Sequence, residues 1–187
     1  MKFKHIILLI FISVFFSRCA IGASVKGMTV KDYKVEKKIG DKIFIKPVIG
    51  GKKTNPLWVS NISNKNFEEA LKKSFIESNA FTKTEAIIDG DWVLEVSIIS
   101  VSRPKWFNLT VKTTVEYKLY NKNNLVFSKS INQSGNATMS DAFYGAKRLR
   151  LANEISAKNN IKALLESLNE TALDSTASAS LPLVPAK

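Results

Sequence analysis

The sequence predicts an α+β two-layer sandwich, with an antiparallel sheet covered on one face by a short helix and a long C-terminal helix, in the order β-α-β-β-β-α. Three observations predict it. Residues 92–99 and 107–119 alternate with period two: Trp92, Leu94, Val96 and Ile98, then Phe107, Leu109, Val111, Thr113, Val115, Tyr117 and Leu119, fall on one side of their strands. Phe143, Leu151, Ile155, Ile161, Leu164, Leu165 and Leu168 recur instead at mostly three- and four-residue steps over residues 138–168. The loops at 102–106 and 121–124 are short enough for hairpins, so the runs 92–101, 107–120 and 125–133 form an antiparallel meander.

Each element has a local reason. Residues 42–49 make a first strand in which Ile43 and Ile45 alternate with Phe44 and Lys46, and Pro47 marks an edge or an ending. Gly50-Gly51 breaks the strand, and residues 52–63 form a loop containing Pro56, Leu57 and Trp58. Asn66 and Glu69 have capping-box spacing at the head of a helix whose buried side is Phe67, Ala70, Leu71 and Phe75. Residues 81–88 are extended in character, and Asp89-Gly90-Asp91 is a turn. Thr138 and Asp141 repeat the capping-box spacing, which starts the long helix at Thr138. Residues 170–187, rich in Ala, Ser, Thr, Leu and Pro, read as a flexible tail.

The start of the chain carries an address. Lys2, Lys4 and His5 precede an apolar run over residues 6–16 that only Ser13 interrupts, and small residues follow at Ala20, Gly22 and Ala23. Residues 1–23 therefore form an export signal, and the apolar run is too short to span a bilayer comfortably. Cys19, the single cysteine, stands where that run ends. Its position resembles the lipidated cysteine of bacterial lipoproteins. Phe16-Ser17-Arg18 departs from the Leu, small residue and Gly or Ala which that pattern prefers. Cleavage after Gly22 or Ala23 is the competing reading, and it would discard the cysteine. Residues 24–41 are Lys-rich and weakly patterned, as a tether to a single domain at 42–169 would be.

Charge and residue usage exclude several function classes. The formal net charge is +12, and removing Lys2, Lys4 and Arg18 with the leader takes it to +9. A basic exported chain is drawn to anionic membrane surfaces or lipopolysaccharide, and nucleic acid is not a partner expected there. The only histidine, His5, lies in the signal, so the exported part has neither an imidazole base nor the commonest transition-metal ligand. Gly50-Gly51 lacks the rest of any phosphate-binding fingerprint, and Asp89 and Asp91 have no third ligand near them in sequence. No cofactor, metal or catalytic residue is expected.

Residues 66–81, Asn-Phe-Glu-Glu-Ala-Leu-Lys-Lys-Ser-Phe-Ile-Glu-Ser-Asn-Ala-Phe, resemble the F-x-x-A-L-x-x-S-L-x-x-S-x-x-F segment of small bacterial envelope proteins. These include auxiliary lipoproteins of transport systems, the lipopolysaccharide-assembly lipoprotein and the N-terminal domain of the Tol translocation protein. The resemblance extends in element order over residues 42–168. It implies a non-catalytic adaptor or assembly subunit of an envelope protein complex; a carrier of a lipid or amphiphile between sheet and helix is the alternative. For a contact surface the sequence offers Arg103, Pro104, Lys105 and Trp106 together with Pro56, Leu57 and Trp58, where aromatics stand beside proline or cations in loops. The same tryptophans would instead serve as caps on the core if they folded back.

Overall fold

The computed structural model describes residues 20–55, 59–85, 92–102 and 109–179. In chain order the elements are α1 (Val25–Met28), β1 (Gly40–Ile45), α2 (Asn64–Glu77), β2 (Phe81–Glu85), β3 (Trp92–Val101), β4 (Leu109–Asn121), β5 (Asn124–Ala137) and α3 (Gly145–Ala179). The five strands form one sheet in the order β2-β1-β3-β4-β5. Helices pack on one face of it, as the two-layer sandwich requires.

The meander pairs as its alternation demands. β3 is antiparallel to β4 with Leu94 opposite Leu119 and Val96 opposite Tyr117, and β4 is antiparallel to β5 with Val115 opposite Ile131. The inward set Leu94, Val96, Ile98, Val111, Thr113, Val115, Tyr117 and Leu119 is buried. Lys112 is exposed on the other face and Glu116, Lys118 and Tyr120 half-exposed, so that face is polar. There Lys46 donates to Glu95 at 2.6 Å, and this hydrogen bond holds the Glu95 carboxyl below its usual range.

The other half of the sheet is parallel, which the meander alone does not predict. β1 runs parallel to both β2 and β3, so the sheet is mixed. The cause is α2. A helix that crosses the sheet between two strands of one sheet returns the chain in the starting direction, and the extended stretch at 81–85 becomes a strand beside β1. Ser63 caps α2 by accepting from Asn66 N at 3.3 Å, and Asn66 turns its amide to Ala23 O instead of serving as the cap. Phe67, Ala70, Leu71 and Phe75 are buried as their spacing predicts.

Residues 24–41 do not behave as a tether. Ser24 caps α1, Met28 and Val30 are fully buried, and Val35 lies at the core margin. Ser24 N donates to Glu154 Oε1 at 2.8 Å, and Val30 N donates to Ser74 Oγ at 2.9 Å. The lysines of this stretch hide a small apolar set, Ala23, Met28 and Val30, that closes the gap between α2 and α3.

The C-terminal helix differs from expectation at both ends and in its buried face. Thr138 and Asp141 do bond, with Thr138 N and Oγ1 donating to Asp141 Oδ2 at 2.7 and 2.8 Å. They close a turn, and the helix starts only at Gly145. It then runs to Ala179, into the stretch read as a tail, for roughly 50 Å in all. Phe143, expected in the core, is 79% exposed, and Ile155 is 37% exposed. Ile161, Leu164, Leu165 and Leu168 are buried as their spacing predicts, but toward the start of the helix the buried face is made by Ala152, Asn153, Ser156, Ala157 and Asn160. The helix comes so close to β5 that a Cβ at Gly135 would sit well inside contact with Ser156 N and Ala152 O. At such an approach the first half of the buried face must be small or must bond to the sheet; Ile155 turns outward, and Leu149 and Leu151 lie half-buried beside Val111, Ala137 and Ala152.

Candidate functional site

Two features could carry function: a polar seam between α3 and the sheet, and the end of the domain where the loops meet. The seam is built by Asn153, Ser156 and Asn160 of α3, which fall on its buried face at three- and four-residue steps. Asn160 Nδ2 donates to Thr113 O and Ile131 O, both at 2.8 Å, and Asn160 Oδ1 accepts from Tyr117 Oη at 2.8 Å. Ser156 Oγ lies 2.6 Å from Thr113 Oγ1 and 3.0 Å from Gln133 O. Asn153 Nδ2 donates to Ser60 O at 2.9 Å. Tyr117 is wholly buried, and burial raises its pKa well above the ordinary tyrosine range, so it remains a hydroxyl donor. With every side-chain polar atom of Asn160 in use, the seam holds the helix to the sheet.

The second feature follows from strand direction. β1 and β3 run the same way, so Ile49 and Gly50, which follow β1, lie beside Ser97 and Ile98 of β3. Gly50 is required twice over, since its φ is +86° and a Cβ there would lie 2.0 Å from Ile98 O. Ser102, where β3 ends, exchanges hydrogen bonds with Lys112 of β4, and Leu109 at the start of β4 pairs with Ala137 at the end of β5. Residues 20–24 reach the same end, since Ala23 N donates to Asn61 O and Ser24 N to Glu154. Here the structure has a cleft of about 220 Å³ lined by Gly50, Lys52, Asn61, Ile62, Ile99, Ser100 and Val101.

Cys19, Trp58, Arg103, Lys105 and Trp106, the residues singled out from the sequence, lie outside the described residues. Their flanks do not lie apart. Ala20 follows Cys19, Asn55 and Val59 bracket Trp58 and bridge to each other, and Ser102 and Leu109 bracket Arg103, Lys105 and Trp106. All three flanks belong to the one loop end. Sequence reading missed what stands between them there: the connection from β5 to α3, with Met139, Phe143 and Tyr144 exposed. Its signal was Phe143-Tyr144 directly before a glycine, which the helical periodicity drew into the core.

Among the described residues no three His, Cys, Asp or Glu side chains gather as a metal site would need, and no described helix is long and apolar enough to cross a membrane.

Comparison with known proteins adds the family. The chain is similar in fold to the crystal structure of protein XCC0632 from Xanthomonas campestris, at 11% identity and a TM-score of 0.59, over 80% of this chain and 94% of that one. Weaker likenesses are to the hypothetical protein CT253 of Chlamydia trachomatis, at 10% identity and a TM-score of 0.48 over 71% and 95% of the two chains, and to a minor lipoprotein of Acinetobacter baumannii, at 6% identity and a TM-score of 0.45 over 71% and 94%. A search of curated proteins found no match. The LptE family model, described as lipopolysaccharide-assembly, matches residues 54–178, from the loop after β1 almost to the end of α3. That family is one of non-enzymatic assembly proteins of the cell envelope, as the resemblance of residues 66–81 implied. The match takes in the sheet from β2 onward, both long helices and the polar seam that joins them, and the chain belongs to the LptE lipopolysaccharide-assembly family.

Proposed function

We propose that this protein is a non-catalytic subunit of an outer-membrane complex that assembles lipopolysaccharide, anchored by an acyl chain on Cys19 and joined to its partner through the loop end. The observation that carries the reading is convergence: within the family match, the flanks of every candidate contact residue meet at one end of the sheet, beside Gly22 and Ala23, which follow closely on Cys19. An adaptor needs a filled core and a contact end. In support, Phe67, Phe75, Phe81, Ile161 and Leu164 are fully buried between sheet and helices. A carrier would instead need an apolar cavity there of roughly several hundred Å³. The cleft at the loop end sits outside that layer and mixes Lys52, Asn61 and Ser100 with its apolar lining.

Two measurements test this. Depleting the protein in its native cells should lower lipopolysaccharide at the cell surface while export of other envelope proteins continues; an unchanged surface level would refute the assembly role. Palmitate should label the wild type and not the Cys19→Ser variant, whereas absence of label from both would mean that cleavage removes the cysteine.

A further inference from the structure

The connection from β5 to α3 is organised more firmly than a loop exposed for no purpose would be. Both hydrogen bonds from Thr138 to Asp141 lock its first turn, and Ala142 is buried beneath it. Held this way, the connection turns Met139, Phe143 and Tyr144 outward at 63%, 79% and 60% exposure, and Phe143 is the most exposed large apolar side chain among the described residues. The two rings meet edge to face, 5.7 Å apart. In the first turn of α3, directly after the two rings in the chain, Lys147 is exposed and Arg148 half-exposed. The first turn of α3 has no acid. Asp141 spends its carboxylate on Thr138, and Glu154, further along, is buried against Ser24 N and Arg150.

Apolar rings with a fringe of cations are the composition of a segment that sits at a lipid interface. The rings enter the boundary between headgroups and acyl chains, and the cations meet the phosphates. Position agrees, because this corner shares the loop end with residues 20–24. We infer that residues 139–148 are a membrane-docking corner that seats this end of the domain on an anionic phospholipid leaflet, with Met139, Phe143 and Tyr144 inserted and Lys147 and Arg148 on headgroup phosphates. The docking needs no acyl chain on Cys19, and it stands whether or not the protein serves lipopolysaccharide.

The test uses the chain from Ala20 onward, which contains every described residue and no cysteine. It should float with phosphatidylcholine vesicles that contain phosphatidylglycerol, not with phosphatidylcholine alone, and added salt should release it. Phe143→Ser with Tyr144→Ser should weaken the partition about tenfold, from lost ring burial. Lys147→Gln and Arg148→Gln should each weaken it about fivefold. Melting temperatures of all these variants should stay at the wild-type value, because the altered side chains leave the core untouched. A nitroxide on Met139→Cys should become shielded from an aqueous relaxant when phosphatidylglycerol vesicles are added, while one on Asn123→Cys, at the opposite end of the sheet, should not. Equal flotation with both vesicle types, undiminished binding of the double aromatic variant, or two nitroxides that both stay in water would overturn the inference. So would binding seen only after lipopolysaccharide is added to the vesicles, since the corner would then read a saccharide lipid and not the phospholipid leaflet.

Discussion

Replacing Asn160 by Leu should destabilise the domain by about 4 kcal/mol, although the side chains are nearly equal in volume and leucine is the better helix former. Asn160 gives two hydrogen bonds to Thr113 O and Ile131 O and takes one from Tyr117 Oη. Leucine leaves the Tyr117 hydroxyl buried without a partner, at about 1 to 3 kcal/mol, and removes the bonds that tie α3 to two strands at once. The melting temperature should fall by about 10 °C for a chain of this length. Adding Tyr117→Phe to Asn160→Leu should recover part of the loss, since no hydroxyl is then stranded. A double variant less stable than the single one would contradict this account of the seam.

Gly135→Val should cost about as much for a steric reason. Its added carbons would meet the backbone of α3 at Ala152 and Ser156, which cannot rotate away as a side chain can, so helix and sheet must separate. Overpacking of a rigid site costs about 3 kcal/mol or more, and separation also lengthens the Asn160 and Ser156 bonds. Gly145→Ala is the control, because a Cβ there meets nothing closer than the end of the Arg148 side chain, and alanine should hold or raise stability. Thermal unfolding of the three proteins checks the pair. Equal losses at 135 and 145 would mean that backbone freedom, not close approach, explains Gly135.

Both predictions come from the part of the fold that was hardest to read in the sequence. The meander was legible because β4 has one polar face, and strict alternation of Val111, Thr113, Val115, Tyr117 and Leu119 admits a single register. Phe67, Ala70, Leu71 and Phe75 were legible because they dominate the core side of their helix, where the one buried polar residue, Ser74, turns its hydroxyl to Ala70 O. On α3 the rule that apolar residues mark the buried face fails in the first half. Ile155 is large and faces outward, Leu151 is only half-buried, and Asn153, Ser156 and Asn160 are polar and face inward, since the carbonyls of Ser60, Gln133 and Ile131 there reward a donor more than a methyl group. Phe143 was misplaced for a different reason, a period extended across the turn that precedes the helix. Lysine content hid the packing of Met28 and Val30, whose burial depends on contacts with α2 and α3 that no local pattern records.

The loop end was legible as a set of residues and not as a place. Trp58 and Trp106 stand far apart in sequence, and only the strand directions and the Leu109–Ala137 pairing bring their flanks together.

The central claim is that the protein joins its envelope complex through that end. Site-specific photo-crosslinking in living cells tests it most directly, with the photoreactive residue placed in turn at Trp58, at Trp106 and, at the opposite end of the sheet, at Asn123. The account predicts adducts of one and the same outer-membrane partner from positions 58 and 106, and none from 123. Adducts from 123 alone, with none from 58 or 106, would contradict it.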